Sequence, residues 1–185
     1  MISLDGKSLT ASQVVAVARP GSRNSVPEVQ LDEGAREVVQ TARGYIEAEW
    51  LSDAAPPIYG FNTGLGKLKD SAIPVDKIKL FQSMLVNSHS AGVGEPFPEE
   101  VVRATMLLRI NAFAKGHSAP RPAVIDRLVA MLNRGVHPVV PQIGSVGASG
   151  DLAPLAYLAG ALIGHPKAEA FYQGVRMPAQ AALEK

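Results

Sequence analysis

Residues 144–156 of the chain read Gly-Ser-Val-Gly-Ala-Ser-Gly-Asp-Leu-Ala-Pro-Leu-Ala. This run of small residues is followed, from about Asp151, by an apolar pattern that predicts a helix up to Ile163, with Gly164 after its end. Loops that are placed on a rigid scaffold in this way often carry catalytic and binding residues. An ordinary turn and a phosphate-binding loop are the alternatives, although the sequence has neither a Gly-Lys-Ser/Thr motif nor a clear strand before the loop.

Four further helices are predicted upstream of this loop, from the helical spacing of apolar residues and from residues that start or stop a helix. They run from Asp32 to about Trp50, from about Val75 to Ala91, from Pro98 to Gly116 and from Pro122 to Gly135. Strands are expected only in a short hairpin near 171–176, because Gln173-Gly174 is typical of a turn. The sequence therefore predicts a mainly helical chain. Its two small or apolar connectors, 56–66 and 136–150, are where we expect the chemistry to lie.

The composition excludes several classes of function. The 185 residues include 18 Lys and Arg against 17 Asp and Glu, spread along the chain, so no basic patch predicts binding to nucleic acid. There is no cysteine, and the four histidines form no ligand pair on a helix, so we expect no metal site. The sequence shows neither a signal-peptide pattern nor an apolar run approaching the ~18 residues of a membrane span. We therefore expect no membrane contact and a cytoplasmic location.

The run at 144–156 resembles the core motif of the histidine, phenylalanine and tyrosine ammonia-lyases and the related aminomutases. In that family an Ala-Ser-Gly triplet cyclises to 4-methylidene-imidazol-5-one. The resemblance implies that the Gly150 nitrogen attacks the Ala148 carbonyl carbon, and that Ser149 loses water to become the methylidene. Small neighbours and a hydroxyl that can leave suit this chemistry. Asp151 is expected to cap the next helix, whose positive end would stabilise negative charge in the ring.

A second match is the stretch Ile-Tyr-Gly-Phe-Asn-Thr-Gly-Leu-Gly at 58–66, which looks like the family's tyrosine loop. By resemblance, Tyr59 is the catalytic base that removes the β-proton of the substrate. A free tyrosine has a pKa of about 10, so this role requires that the phenolate be accessible. The glycines are expected to let the loop close as a lid. The residues expected to form and support the loop are Gly60, Asn62, Thr63, Gly64 and Gly66. Taken alone, the stretch is also compatible with a buried tyrosine before a glycine turn.

A third match, at 83–96, contains the pair Ser88-His89. In the family these two positions line the pocket around the substrate side chain. The pair found there resembles Ser-His in histidine-selective members, His-Leu in tyrosine-selective members and Phe-Leu in phenylalanine-selective members. The resemblance therefore implies a histidine-type pocket, in which Ser88 and His89 face the same cavity as Tyr59 and Ser149. Without the match, a helical histidine is more commonly an ordinary core or surface residue.

The resemblance implies an all-α fold, namely the N-terminal helical portion of the ammonia-lyase (fumarase/aspartase-like) fold over 1–185, ending before the long central helices. Residues 177–185 begin a helix that has no C-cap. We therefore expect the chain to continue or a second polypeptide to complete it, with a frayed tail as the alternative. The second, third and fifth predicted helices are apolar around much of their circumference, so we expect exposed apolar surface that needs partner chains.

The implied activity is elimination of ammonia from an L-amino acid, with L-histidine to urocanate as the first choice. The implied assembly is a homotetramer or a complex with a complementing C-terminal chain. The alternatives are a phenylalanine or tyrosine ammonia-lyase, an aminomutase that uses the same ring and tyrosine, and a non-catalytic truncated chain or split-lyase subunit. Asn87, Ser90 and His117 depart from the family pattern and leave the choice of substrate open.

Overall fold

The structure is a computed structural model that describes residues 1–19, 26–144, 147 and 149–185. Helices and strands follow one another as β1 (Ile2–Leu4), α1 (Ala11–Ala18), β2 (Val29–Leu31), α2 (Glu33–Glu49), α3 (Val75–His89), β3 (Val93–Pro96), α4 (Glu99–Phe113), α5 (Pro122–Arg134), β4 (Val136–Pro138), β5 (Pro141–Ile143), α6 (Leu152–Leu162), β6 (Glu169–Tyr172), β7 (Val175–Pro178) and α7 (Ala179–Leu183). Within the described residues, no helix is both long and apolar enough to cross a membrane.

All five predicted helices are present, and the residues expected to start and stop α2 and α5 explain three of their ends. The Asp32 carboxylate accepts a hydrogen bond of 3.1 Å from the Ala35 amide at the start of α2. Pro122 opens α5, and Gly135 ends it in the left-handed conformation, with a φ of +71°. Helix α1 was not predicted. It begins with a capping box in which the side chains of Thr10 and Gln13 each accept from the other's backbone amide.

The predicted hairpin is confirmed as β6 and β7, joined by a turn at Gln173 and Gly174 that both have positive φ. The expectation that strands are confined to this hairpin is wrong. Strands β1 and β2 form a parallel pair, β3 and β5 an antiparallel pair, and β4 extends the hairpin sheet beside β6. These strands have three or four residues each, too few for a period-two pattern. They form because connecting segments satisfy their backbone groups against one another.

The buried core lies mainly between helices α1, α4, α5 and α6 and the short strands that line them. Its largest fully buried apolar side chains include Met106, Leu107 and Ile110 of α4 and Ile125, Leu128 and Leu132 of α5. Arg103 is buried among them, and its guanidinium donates to the carbonyls of Val17 and Leu132 at 3.0 and 3.2 Å. Arg103 therefore supplies a further donor to carbonyl groups near the C-terminal ends of α1 and α5, where helices have fewer backbone donors to offer.

Apolar side chains are exposed on the three helices for which the sequence predicted an uncovered face. Leu80 and Met84 of α3 are 57% and 61% exposed, Leu108 of α4 is 50% exposed, and Leu152 of α6 is 48% exposed. Side chains of this size lose favourable free energy when they remain in water. The exposure is in keeping with a need for partner chains, which stays a prediction.

His137 in β4 is a buried titratable group away from the predicted catalytic residues. Its ring stacks on Phe171 with a centroid distance of 5.2 Å. Among the described residues, its Nδ1 finds no hydrogen-bond partner, and it lies 3.8 Å from a Glu99 carboxylate oxygen. Burial is the main cause that lowers the pKa of His137, Glu99 acts in the opposite direction, and the positive charge of Arg103 lowers it further.

Because the pKa of His137 is lower in the folded than in the unfolded state, the unfolded chain binds more protons as the pH falls. We therefore expect the unfolding temperature to decrease below about pH 6.5, the ordinary histidine pKa. The variant His137→Phe keeps the stacked ring but removes the titration, so its unfolding temperature should depend less on pH in this range. Thermal unfolding across the range tests this, with exposed His117→Phe as the control. An equal pH dependence of His137→Phe and the unmodified protein would contradict the prediction.

Candidate active site

Ser149, Gly150 and Asp151 lie in the exposed loop before α6, and Ala148 lies outside the described residues. The Ser149 hydroxyl donates a hydrogen bond of 2.5 Å to Asp151 Oδ1. Gly150 has a φ of +77°, and a Cβ placed there would meet no atom of the described residues within 4 Å, so these residues leave the backbone open on that side. Ser149 and Gly150 of the triplet are therefore both exposed residues.

Asp151 occupies the N-cap position of α6, as predicted, but its side chain makes no capping hydrogen bond. An N-cap carboxylate usually accepts from the amide of the second or third helical residue, and the third residue here is Pro154, which has no N–H. Asp151 Oδ1 accepts from Ser149, and Oδ2 lies 3.8 Å from a guanidinium nitrogen of Arg109. The expected capping role is therefore corrected: the carboxylate bonds to the serine instead.

Two features hold the Ser149 loop close to the end of α3. Strand β5, which leads into the loop, pairs with β3, which follows α3. The Tyr157 hydroxyl of α6 lies 3.2 and 3.0 Å from the carbonyl oxygens of Ser90 and Gly92. A Cβ at Gly92 would lie only 3.2 Å from the Tyr157 ring, so a glycine allows this close approach. The fold thus brings the third sequence match beside the first.

Ser88 and His89 form the last turn of α3, where Ser88 is exposed and His89 is half-buried. The Ser88 hydroxyl donates to the Leu85 carbonyl at 2.9 Å, and His89 Nδ1 lies 2.8 Å from the same oxygen and 3.1 Å from Ser88 Oγ. The tautomer with a proton on Nδ1 donates to Leu85 and leaves Nε2 as a free acceptor. The pair is therefore oriented by its own helix and can offer one ring nitrogen to a ligand.

The tyrosine loop is held by Asn62 rather than by contacts of Tyr59 itself. Asn62 is buried, and its side chain accepts from the Ile58 amide at 2.7 Å and donates to the Pro56 and Trp50 carbonyls at 3.0 and 3.3 Å. Tyr59 is 61% exposed and is followed by Gly60, whose φ is +81°. The backbone on both sides of the tyrosine is thereby fixed while its phenol faces outwards.

Thr63 and Gly64 complete this loop by packing. Thr63 is buried and pairs with Ala72, and the Gly64 amide donates to the Ser71 carbonyl at 2.9 Å. A Cβ at Gly64 would lie 2.5 Å from the Leu68 carbonyl oxygen, a distance that atoms do not tolerate. Gly64 is therefore needed for close packing at this point, and the closure of the loop as a lid stays a prediction.

Within the described part of the chain, hydrogen bonds join Ser149 to Asp151 and Ser88 to His89, and none joins either pair to Tyr59. A single cavity shared by the four side chains stays a prediction. Among the described residues, no cluster of three or more histidine or carboxylate groups could hold a metal ion. Sequence reasoning did not single out Arg109 or Tyr157, because their partners lie on other elements and no local motif marks them.

Comparison with known proteins gives concordant matches. A model of the aromatic amino acid lyase family matches residues 9–185. The chain is 50% identical to the histidine ammonia-lyase of Geobacillus thermodenitrificans over 185 residues, which cover all of this chain and 35% of that protein. Among solved structures, the ergothionase of Treponema denticola superposes with a TM-score of 0.89 at 31% identity, over 99% of this chain and 35% of that one.

A third similar protein is the tyrosine aminomutase of Streptomyces globisporus, with a TM-score of 0.86 and 36% identity over 99% of this chain and 32% of that one. The chain thus spans about a third of the length of the proteins that it matches. Together with a superposition on a histidine ammonia-lyase, these matches confirm the predicted fold, that of the N-terminal part of ammonia-lyases.

Proposed function

The chain belongs to the aromatic amino acid lyase family, and from this membership we propose that the protein eliminates ammonia from L-histidine to give urocanate. In this proposal, residues 1–185 are the N-terminal helical portion of the enzyme. The observation that carries the choice of substrate is the Ser88-His89 pair, which the β3–β5 pairing and Tyr157 hold beside the Ser149 loop.

Residues Ala148, Ser149 and Gly150 would form the 4-methylidene-imidazol-5-one group without a metal. The described members of the triplet fit this role, because the Ser149 hydroxyl is exposed and the backbone of Gly150 is open on one side. The group supplies an electrophilic carbon to the reaction.

The remaining steps fall to side chains of this chain. Tyr59 removes the β-proton of the substrate, and the hydrogen bonds of Asn62 hold the backbone that carries Tyr59. His89 offers Nε2 to the imidazole of the substrate, while the small Ser88 leaves room for the ring. The half-buried position of His89 supports this role, because a hydrogen bond gains strength where water is partly excluded.

The protein would work in the cytoplasm as a homotetramer or with a complementing C-terminal chain. The apolar side chains exposed on α3, α4 and α6 support such an assembly. An aminomutase is the second candidate, favoured by the 36% identity to the tyrosine aminomutase. Product analysis separates the two, because a lyase releases ammonia and an unsaturated acid, whereas an aminomutase returns a β-amino acid.

The substrate is tested by the double variant Ser88→Phe/His89→Leu in the complete protein. An imidazole nitrogen that is buried without a partner costs about 1–3 kcal/mol. With 1.4 kcal/mol per tenfold change, we expect kcat/KM for histidine to fall by about one to two powers of ten. The value for phenylalanine should rise. Steady-state kinetics with both amino acids measure this.

The control for this experiment is Lys79→Leu, which changes an exposed residue earlier on α3. Its replacement should alter the kinetics of both amino acids to the same small extent. Equal losses on histidine and phenylalanine in the double variant would contradict the proposed selectivity.

A further inference from the structure

Arg109 of α4 reaches the Ser149 loop through Asp151. A guanidinium nitrogen of Arg109 lies 3.8 Å from Asp151 Oδ2, while the other oxygen of this carboxylate, Oδ1, accepts from the Ser149 hydroxyl. The Arg109 guanidinium also lies over the ring of Phe113, one turn later on α4, with 5.8 Å from Cζ to the ring centroid. Serine, carboxylate, guanidinium and aromatic ring thus form a continuous row from the loop to a rigid helix.

Pro154 removes one of the two backbone donors that usually compete for an N-cap carboxylate such as that of Asp151. An aspartate at an N-cap position ordinarily turns back to the amide of the third helical residue, and with an alanine at 154 that amide would be available. The proline has no N–H, and the Asp151 side chain makes no capping bond. Among the described residues, the carboxylate contacts Ser149 and Arg109 instead.

The exposure of the pair indicates that Arg109 serves orientation more than stability. The side chains of Arg109 and Asp151 are 32% and 57% exposed, and their separation of 3.8 Å is at the long end for an ion pair. Pairs of this kind add little to the stability of a fold. A fixed charge beside one oxygen does, however, restrict how the carboxylate can turn, and thereby where the other oxygen holds the serine hydroxyl.

We propose that Arg109 is a positioning residue for the formation of the prosthetic group: it holds the Asp151 carboxylate against the Ser149 hydroxyl while the triplet cyclises and loses water. This inference rests on the proposed function, since it requires that the triplet form the ring. In this proposal Arg109 acts through Asp151.

The covalent changes balance without an oxidant or a metal. Ring closure joins the Gly150 nitrogen to the Ala148 carbonyl carbon. The oxygen of that carbonyl leaves as a water molecule, whose two protons come from the amides of Gly150 and Ser149. Dehydration breaks the Cβ–Oγ bond of Ser149 and expels the hydroxyl, together with the Cα proton of Ser149, as a second water. Asp151 orients the hydroxyl that leaves, and Arg109 fixes Asp151.

Mass spectrometry of the complete, assembled protein tests the proposal without reference to turnover. The peptide that contains residues 148–150 loses the mass of two water molecules when the group forms, and the matured fraction is followed with time after synthesis. We expect Arg109→Met to mature about fivefold more slowly, which corresponds to ~1 kcal/mol. Arg109→Lys, which keeps the charge, should mature faster than Arg109→Met.

Pro154→Ala tests the same arrangement without changing the arginine. It returns an amide to the third helical position, so the Asp151 carboxylate can cap α6 and leave Ser149. We expect slower maturation with an unfolding temperature that is equal or higher, a combination that a purely structural defect would not give.

The matched control is Arg36→Met. Arg36 forms a shorter ion pair with Asp126, at 2.6 Å, and its side-chain exposure of 28% is close to that of Arg109. This variant should mature at the rate of the unmodified protein. If Arg109→Met and Pro154→Ala both mature at the wild-type rate, the inference about Arg109 is overturned while the proposed function stands. The same holds if Arg36→Met matures as slowly as Arg109→Met. Absence of the mass loss from the unmodified protein would instead overturn the proposed prosthetic group, and the inference with it.

Discussion

Replacing Ser149 with alanine is expected to abolish turnover of every amino acid substrate. The proposed methylidene carbon is Cβ of Ser149, and it becomes electrophilic only if the hydroxyl leaves. Alanine has no leaving group, so no arrangement of the surrounding residues can compensate. Steady-state kinetics with histidine and with phenylalanine measure the loss, and full activity of Ser149→Ala on either substrate would reject the mechanism.

The mass of the variant shows that the loss has the stated cause. Ser149→Ala retains the Gly150 nitrogen and the Ala148 carbonyl, so the triplet can lose at most one molecule of water, whereas the unmodified protein should lose two. Ser3→Ala is the control, since it removes an exposed hydroxyl from strand β1, at a distance in sequence from the three matches. It should lose two waters and keep its activity.

Most of the helical scaffold could be predicted because its signals are local. Asp32, Pro122 and Gly135 start or end helices through their own hydrogen bonds or backbone angles, which depend little on the rest of the chain. The capping box of Thr10 and Gln13 is a local signal of the same kind at the start of helix α1. The strands outside the hairpin could not be predicted in this way, because each pairs with a distant segment.

In the candidate site, too, features with a local sequence signal could be predicted and contacts between distant segments could not. The residue types at Tyr59, His89 and Ser149 could be recognised by resemblance, and the loops that carry them could be placed between helices. The contact of Asp151 with Ser149 does not follow from the sequence pattern, because an aspartate before a helix predicts a cap. Arg109 has no local signal at all, since it reaches Asp151 only when α4 packs near α6.

Tyr59→Phe is expected to lower kcat by about 10² to 10⁴, the usual contribution of a general base. The change removes only the phenolic oxygen. The Tyr59 side chain is 61% exposed, and the hydrogen bonds that hold its loop come from Asn62, which contacts the backbone of Ile58 and Pro56. The loop should therefore keep its structure in the variant, and the unfolding temperature should not change.

The matched control for this variant is Tyr45→Phe. Tyr45 is 58% exposed on α2 and packs edge-on against Trp50, at a centroid distance of 5.6 Å, through its ring and not its hydroxyl. It should retain the kcat of the unmodified protein. Both variants should also show the full mass loss at 148–150, because proton abstraction from the substrate plays no part in forming the group. A kcat for Tyr59→Phe within about threefold of the unmodified enzyme, less than 1 kcal/mol at 1.4 kcal/mol per tenfold, would show that the β-proton is removed by another residue. A loss of kcat that is accompanied by incomplete formation of the group would instead place Tyr59 in maturation.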